Sequence, residues 1–244
     1  MVSERFVIGI DDTDDEDGRG TSTLARAWAT AIEDQGFGVT HGVTRHQLWP
    51  SPKVKATGQN RALAIAVETE RTVLDLEDHV VDFVREHASS KANPAIGILS
   101  RHTDMPHALA WGRRAQQELL KLSDAERYAT ESNVLLRGLG GNRNGMIGAL
   151  AAVGLHAGGK DGLFIQLAGI RELEGRVTAG QIRERTALQH VIDEDTGEEL
   201  DRDDQVDTGN WVRPRMMVDE PVLLTRRSPD EKKLWLTIDR RPSS

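Results

Sequence analysis

The stretch Arg5-Phe6-Val7-Ile8-Gly9-Ile10-Asp11-Asp12-Thr13-Asp14-Asp15-Glu16-Asp17-Gly18-Arg19-Gly20-Thr21-Ser22 changes character twice. A short apolar run predicts a strand, a block of acids ends it, and glycines with hydroxyls lead into Thr23 to Gln35. There Leu24, Ala27, Trp28, Ala31 and Ile32 recur at helical spacing. Gly36 is placed to stop that helix, and Gly36 to Thr40 opens a second strand, so the start reads as strand, loop, helix, strand. Openings of this kind put a ligand at the carboxyl end of the first strand.

The chemistry of that loop points to a cation and an anion. Asp11 to Asp17 holds six carboxylates in seven positions, and like charges that converge raise one another's pKa unless a cation joins them. Asp11, Asp12 and Asp14, at the strand end, are therefore the expected Mg²⁺ ligands, with substrate phosphates completing the coordination. Asp15, Glu16 and Asp17 read as solvated. Gly18, Gly20, Thr21 and Ser22 follow, where glycines allow close backbone approach and a helix N-terminus offers amides to phosphate. The plainer alternative is an acidic turn followed by a serine or threonine helix cap. A Walker loop is excluded because no Gly-Lys-Ser/Thr ending is present.

Further along, Arg61 to Glu68 alternates as a strand, Thr72 to Ala88 has a helical apolar face, Pro94 to Ser100 reads as a strand and Met105 to Leu122 as one helix. A domain boundary near Gly58 fits the punctuated stretch before it. Arg137 to Gly145 is a second glycine-rich loop ahead of an apolar helix, Met146 to Gly154. Its end, Arg143, Asn144 and Gly145, is a second candidate phosphate contact. Pro221 to Thr225 and Lys233 to Ile238 read as strands, and the acidic stretch Asp193 to Asp207 as an exposed loop.

Composition narrows the field. No apolar run approaches the length of a spanning helix and no signal peptide is evident, which predicts a cytoplasmic protein. With no cysteine, disulfides and thiolate ligands are excluded and a hard cation is the natural guest. The eight histidines form no zinc-type pair and are expected to serve packing or the surface. A net charge of −8 disfavours nonspecific binding of polyanions, and arginine pairs such as Arg226 and Arg227 or Arg240 and Arg241 read as solvated surface.

Ile8 to Asp14 followed by Gly18 to Ser22 resembles the opening of archaeal tRNA-isoleucine agmatinylcytidine synthetases. Arg45-His46-Gln47-Leu48-Trp49-Pro50, Thr57 to Ala62, Gly145 to Gly154, and Asp219 to Leu223 with Arg227 resemble later segments of that family. The resemblance implies an α/β (α+β) protein: a split kinase-like domain, 1–58 with 126–192, and a ferredoxin-like substrate domain, 59–125 with 193–244. It also implies Asp11, Asp12 and Asp14 at a Mg-ATP site and Ser22 in phosphoryl transfer. Two positions depart from the pattern: Gly20 replaces a cysteine and Ser22 a threonine, the latter retaining the hydroxyl. No counterpart of the OB-fold and zinc ribbon with which the family grips tRNA is expected from this sequence.

The expectation is thus an ATP- and Mg²⁺-dependent enzyme that phosphorylates or activates an unidentified small molecule, with tRNA binding weak unless a partner supplies it. The alternatives are the family's reaction on tRNA with a separate RNA-binding partner, and a nonenzymatic nucleotide sensor.

Overall fold

The computed structural model describes residues 2–14, 20–54 and 59–238. The chain divides into two compact units, Met1–Gly162 and Leu163–Ser244. The interleaved division implied by the resemblance stays a proposal.

The first unit runs β1 (Glu4–Asp11), α1 (Thr21–Asp34), β2 (Val39–Gln47), β3 (Arg61–Thr69), α2 (Val73–His87), β4 (Ala95–Leu99), α3 (Met105–Ala115), α4 (Leu122–Ser132), β5 (Leu135–Gly138) and α5 (Gly145–Ala157). Its strands lie in the order β5-β4-β1-β3-β2, every neighbouring pair antiparallel. Each expected strand and helix up to residue 100 is present, with ends shifted by a few residues. Gly36 takes φ +62 just past α1, where only a residue without a β-carbon sits without strain.

The two faces of the sheet carry different side chains, and this sets the layers. Phe6, Ile8 and Ile10 of β1, Leu63, Ile65 and Val67 of β3, and Ile96 and Ile98 of β4 are large and buried. Alternation puts the opposite set on the other face: Gly9, Ala62, Ala64, Ala95 and Gly97. These small residues admit α5, which is buried nearly all round and is packed with Ala62, Ala64 and Ala95 in one apolar cluster. A β-carbon on Gly9 would lie 2.2 Å from the Ala149 carbonyl oxygen, so the strand and helix backbones are in contact there. On its far side α5 meets α3 just as closely, since a β-carbon on Gly154 would lie 2.1 Å from the Ala108 carbonyl oxygen. The larger face suits the amphipathic α1 and α2, which bury Leu24, Trp28 and Ile32, and Leu76, Val80 and Val84.

The single helix expected over Met105 to Leu122 is instead two. Helix α3 stops at Ala115, whose carbonyl is claimed from outside: the Trp49 amide donates to it at 2.9 Å. The Gln116 side chain donates to the Gln47 carbonyl and to Asp161. The chain turns, buries Leu120 and restarts as α4. Tertiary bonds here override a continuous amphipathic pattern.

The second unit contains β6 (Leu163–Gln166), β7 (Arg176–Thr178), α6 (Ala179–Arg185), β8 (His190–Asp193), β9 (Gln205–Asp207), β10 (Arg215–Met217), β11 (Glu220–Arg227) and β12 (Leu234–Thr237). Its strands are ordered β6-β10-β11-β12-β9-β7, with β8 parallel to β11. The expected exposed loop Asp193 to Asp207 is only partly one: Leu200 and Val206 are buried and β9 pairs with β12 and β7. Strand β9 is only Gln205-Val206-Asp207, and a single apolar side chain among polar neighbours hid it. The architecture is mixed α and β, as expected, and its strands are mostly antiparallel.

Replacing Gly9 by alanine drives a β-carbon into the α5 backbone. Urea denaturation of Gly9→Ala is expected to show a loss of about 3 kcal/mol, at the upper end for overpacking, because a main chain must move.

Candidate nucleotide site

Strand β1 delivers Asp11 to the α5 side of the sheet. The carboxylate lies over the first turn of α5, where a β-carbon on Gly148 would fall 1.8 Å from Asp11 Oδ2, so only glycine leaves room for it. The chain then turns sharply, with Asp12 at φ +53, a conformation that L-residues adopt at some cost in energy. The Asn93 carboxamide donates to Asp12 Oδ2 at 3.3 Å.

Thr13 is buried and its carbonyl accepts from the Ser89 amide at 3.0 Å. Its amide donates at 3.4 Å to the Thr21 hydroxyl, which in turn donates to Asp14 Oδ1 at 3.0 Å. Thr21, the first residue of α1, thus fastens both ends of the acid loop. Gly18 and Arg19, with Asp15, Glu16 and Asp17, lie outside the described residues, as does Thr57-Gly58 of the later motif.

The acids meet the N-termini of two helices. Asp11, Asp12, Asp14, Gly20, Thr21 and Ser22 line a cavity of about 610 Å³ together with Asn144, Gly145 and Gly148 of α5. The N-caps of α1 and α5 are Gly20 and Asn144, and neither makes a side-chain cap bond. Both helices therefore turn the positive ends of their dipoles toward one space, although the Asn144, Met146 and Ile147 amides of α5 are already bonded within its own approach. Ser22 sits one residue inside α1, so the alternative role as N-cap is not the one it has. Arg143 is not brought in: at φ +61 its side chain runs past Gly138 and pairs with Glu126 at 3.3 Å, lining a different hollow.

The same cavity gathers further residues. Lys53, Arg61 and Lys121 add positive charge to its lining, and Leu48, Leu119 and Leu122 add apolar side chains. Arg61, with Gln59 and Asn60, stands inside a segment that matches the family pattern, which is the one signal that could have found it. Lys53 and Lys121 come from unrelated loops.

Burial holds the Asp11 carboxyl well above the usual carboxylate range, reinforced by the Asp12 charge and, less, by Asp14, with a bond from the Asp12 amide opposing. Asp12 is raised too, chiefly by burial and then by Asp14, against the bonds from Asn93. Among the described residues no set of three or more His, Asp or Glu forms a ready metal cage. Mg²⁺ asks for less, one or two carboxylates with phosphate and water, and the two adjacent carboxylates fit that requirement.

The histidines are accounted for elsewhere. His46 is fully buried, bonded to Asp161 at 2.7 Å and to Thr44, whose hydroxyl also meets His156 at 2.8 Å. Burial, with the neighbouring His46, drives the His156 pKa down to about 3, so it stays neutral and ties the end of α5 to β2. His79 takes a bond from the Trp28 indole at 3.1 Å.

No known protein-family profile matches the chain. An uncharacterized protein of Methanocaldococcus jannaschii is 28% identical over 153 residues, 62% of this chain and 50% of that protein. Among solved structures the chain is similar to a tRNA-modifying enzyme, TiaS, the agmatidine synthetase of an isoleucine tRNA. Its complex with that tRNA and ATP is 28% identical with a TM-score of 0.55, covering 62% of this chain and 36% of that one. Its complex with the same tRNA, AMPCPP and agmatine is 27% identical with a TM-score of 0.53, over the same shares. The chain thus spans about half of the curated relative and about a third of the solved chains. The expectation of weak tRNA binding gains no support from these neighbours. Among the described residues no helix is long and apolar enough to cross a membrane.

A carboxylate whose folded pKa lies above its unfolded one costs stability as pH rises from the unfolded value, near 3.8, through the folded value, and the full cost remains above it. Asp11→Asn is therefore expected to raise metal-free stability at pH 7, by on the order of 1 kcal/mol, and to leave it unchanged near pH 3. Added Mg²⁺ and ATP should raise the melting temperature of the unsubstituted protein and not of Asp11→Asn, as read by thermal scans.

Proposed function

We propose that the first unit holds Mg²⁺-ATP and that the protein is an ATP-dependent enzyme that phosphorylates or activates a small acceptor. The carrying observation is the single cavity in which three aspartates face the uncapped starts of α1 and α5. Acids alone would repel a triphosphate and helix starts alone would not gather carboxylates; a metal-nucleotide complex satisfies both. The TiaS complexes with ATP and with AMPCPP support the reading. The interleaved kinase-like and ferredoxin-like division belongs to it as well.

Asp11 and Asp12 would hold Mg²⁺ and Asp14 would orient its shell. When bound, the ion supplies charge neutralisation at the transferring phosphoryl group. The amides at Thr21, Ser22 and Gly145 would hold phosphate oxygens, with Lys53, Arg61 and Lys121 balancing the remaining charge. Thr21, bonded to Asp14, would position that carboxylate, leaving the Ser22 hydroxyl for the terminal phosphate. The apolar side chains would exclude water from part of the cavity.

A second reading, modification of a tRNA cytidine with help from an RNA-binding partner, is favoured by the tRNA and agmatine in the neighbouring complexes. Labelled ATP incubated with extracted metabolites or with tRNA separates the two: transfer to a small molecule supports the first, transfer that needs tRNA the second.

Calorimetry is expected to show ATP binding that weakens at least tenfold without Mg²⁺ and is lost in the Asp11→Asn, Asp12→Asn double variant; unchanged affinity there would refute the site. Ser22→Ala should lower turnover by about 100-fold with melting unchanged, as for loss of one transition-state contact, while Ser22→Thr keeps activity. Normal turnover in Ser22→Ala would remove that residue from the chemistry.

A further inference from the structure

The segment between α2 and β4 carries a residue that touches both halves of the candidate site. Asn93 is half-buried, and the two ends of its carboxamide go to different loops. Nδ2 donates to Asp12 Oδ2 at 3.3 Å, and Oδ1 accepts from the Asn142 amide at 2.9 Å. The partners fix the orientation, since a carboxylate can only accept and a main-chain amide can only donate. The Asn93 main-chain amide also bonds the Asp12 carboxylate.

The surroundings are shaped to this residue. Gly141, at φ +53, lets the glycine-rich loop close over the side chain, because a β-carbon there would lie 1.9 Å from Asn93 Oδ1. Gly145, the first residue of α5, comes equally near the main chain: a β-carbon would lie 2.6 Å from the Asn93 carbonyl oxygen. On either side, Ser89 holds the Thr13 carbonyl and the Pro94 carbonyl takes the Leu139 amide at 2.7 Å. The stretch 89–94 is thus a spine between the acid loop and the glycine-rich loop, and Asn93 is the side chain that reaches both.

We propose that Asn93 is a positioning residue: its carboxamide holds the Asp12 carboxylate and the 139–144 loop in one register, so that the loops loosen together without it. The role for nucleotide binding rests on the reading of this cavity as a Mg²⁺-ATP site. No other standard side chain of this length can do both jobs: aspartate keeps the acceptor but loses the donor and adds a charge beside Asp12, serine is too short, and alanine has neither.

Hydrogen exchange on the full chain tests the tie without reference to nucleotide. In Asn93→Ala, amides of both 12–14 and 139–144 should exchange faster by about tenfold, the effect of losing bonds of ordinary strength, while β4 and the middle of α5 stay as they were. In Asn93→Asp the 139–144 loop should remain protected, only the acid loop should loosen, and Mg²⁺-ATP affinity should fall at least tenfold with melting little changed. Unaltered exchange in either loop of Asn93→Ala overturns the proposal. Should that variant fail to fold, Asn93→Asp decides, and equal loosening of both loops, or of neither, overturns it. A wild-type protein with no Mg²⁺-dependent ATP affinity but with the expected exchange pattern refutes the nucleotide reading and leaves the tie standing. Normal affinity with unaltered exchange does the reverse.

Discussion

The contact between the backbones of β1 and α5 is the constraint on which the first unit depends. A helix buried nearly all round has no solvent stripe to orient it, so its position comes entirely from how closely its neighbours let it approach. Gly9 and Gly97 permit that approach on the sheet side, Gly154 and Gly112 on the side of α3. The height of α5 above the sheet then sets the separation between Gly145 and the aspartates at the end of β1. Site geometry is in this way inherited from packing further along the helix, and glycine recurs along α5 although helix propensity alone would disfavour it.

The electrostatics run against stability. Asp11 is placed where burial and two neighbouring carboxylates penalise its charge, Asp12 sits in a left-handed conformation, and three helices, α1, α4 and α5, begin without side-chain caps. Each feature alone would be a modest defect, but all of them border one cavity. Groups that destabilise the protein by itself and that a metal-nucleotide complex would relieve are the arrangement expected where function is favoured over stability. By contrast α2, none of whose residues line the cavity, begins with a complete capping box.

Strongly periodic segments were legible in the sequence. The opening strand, α1, α2, β4 and α5 follow from apolar spacing and a stop glycine, and the acid loop follows from charge alone. The break between α3 and α4 was not, because the amphipathic pattern continues through it and the bonds that end α3 come from Trp49, Gln47 and Asp161, far away in sequence. Strand β5 is four residues of a short edge, too brief for alternation to register. Within the candidate site, Asn144 and Gly145 lie where the loop reading put them, yet Arg143 turns toward Glu126, a choice made by its own backbone conformation. Lys53 and Lys121 carry no local pattern, and only the fold brings them to the cavity; Asn93 carries none either, and the fold brings it to Asp12.

The raised affinity of Asp11 and Asp12 for protons links occupancy of the cavity to acidity. Any cation that engaged those oxygens would displace whatever protons they hold, so loading the site would release more acid the larger the fraction of the two carboxyls that is protonated. The heat of loading would accordingly contain the ionisation heat of the buffer, and its variation from one buffer to another would count the protons expelled. A carboxylate pair held in this way would act as a proton-cation exchanger, engaging a metal less readily as the surroundings become more acidic.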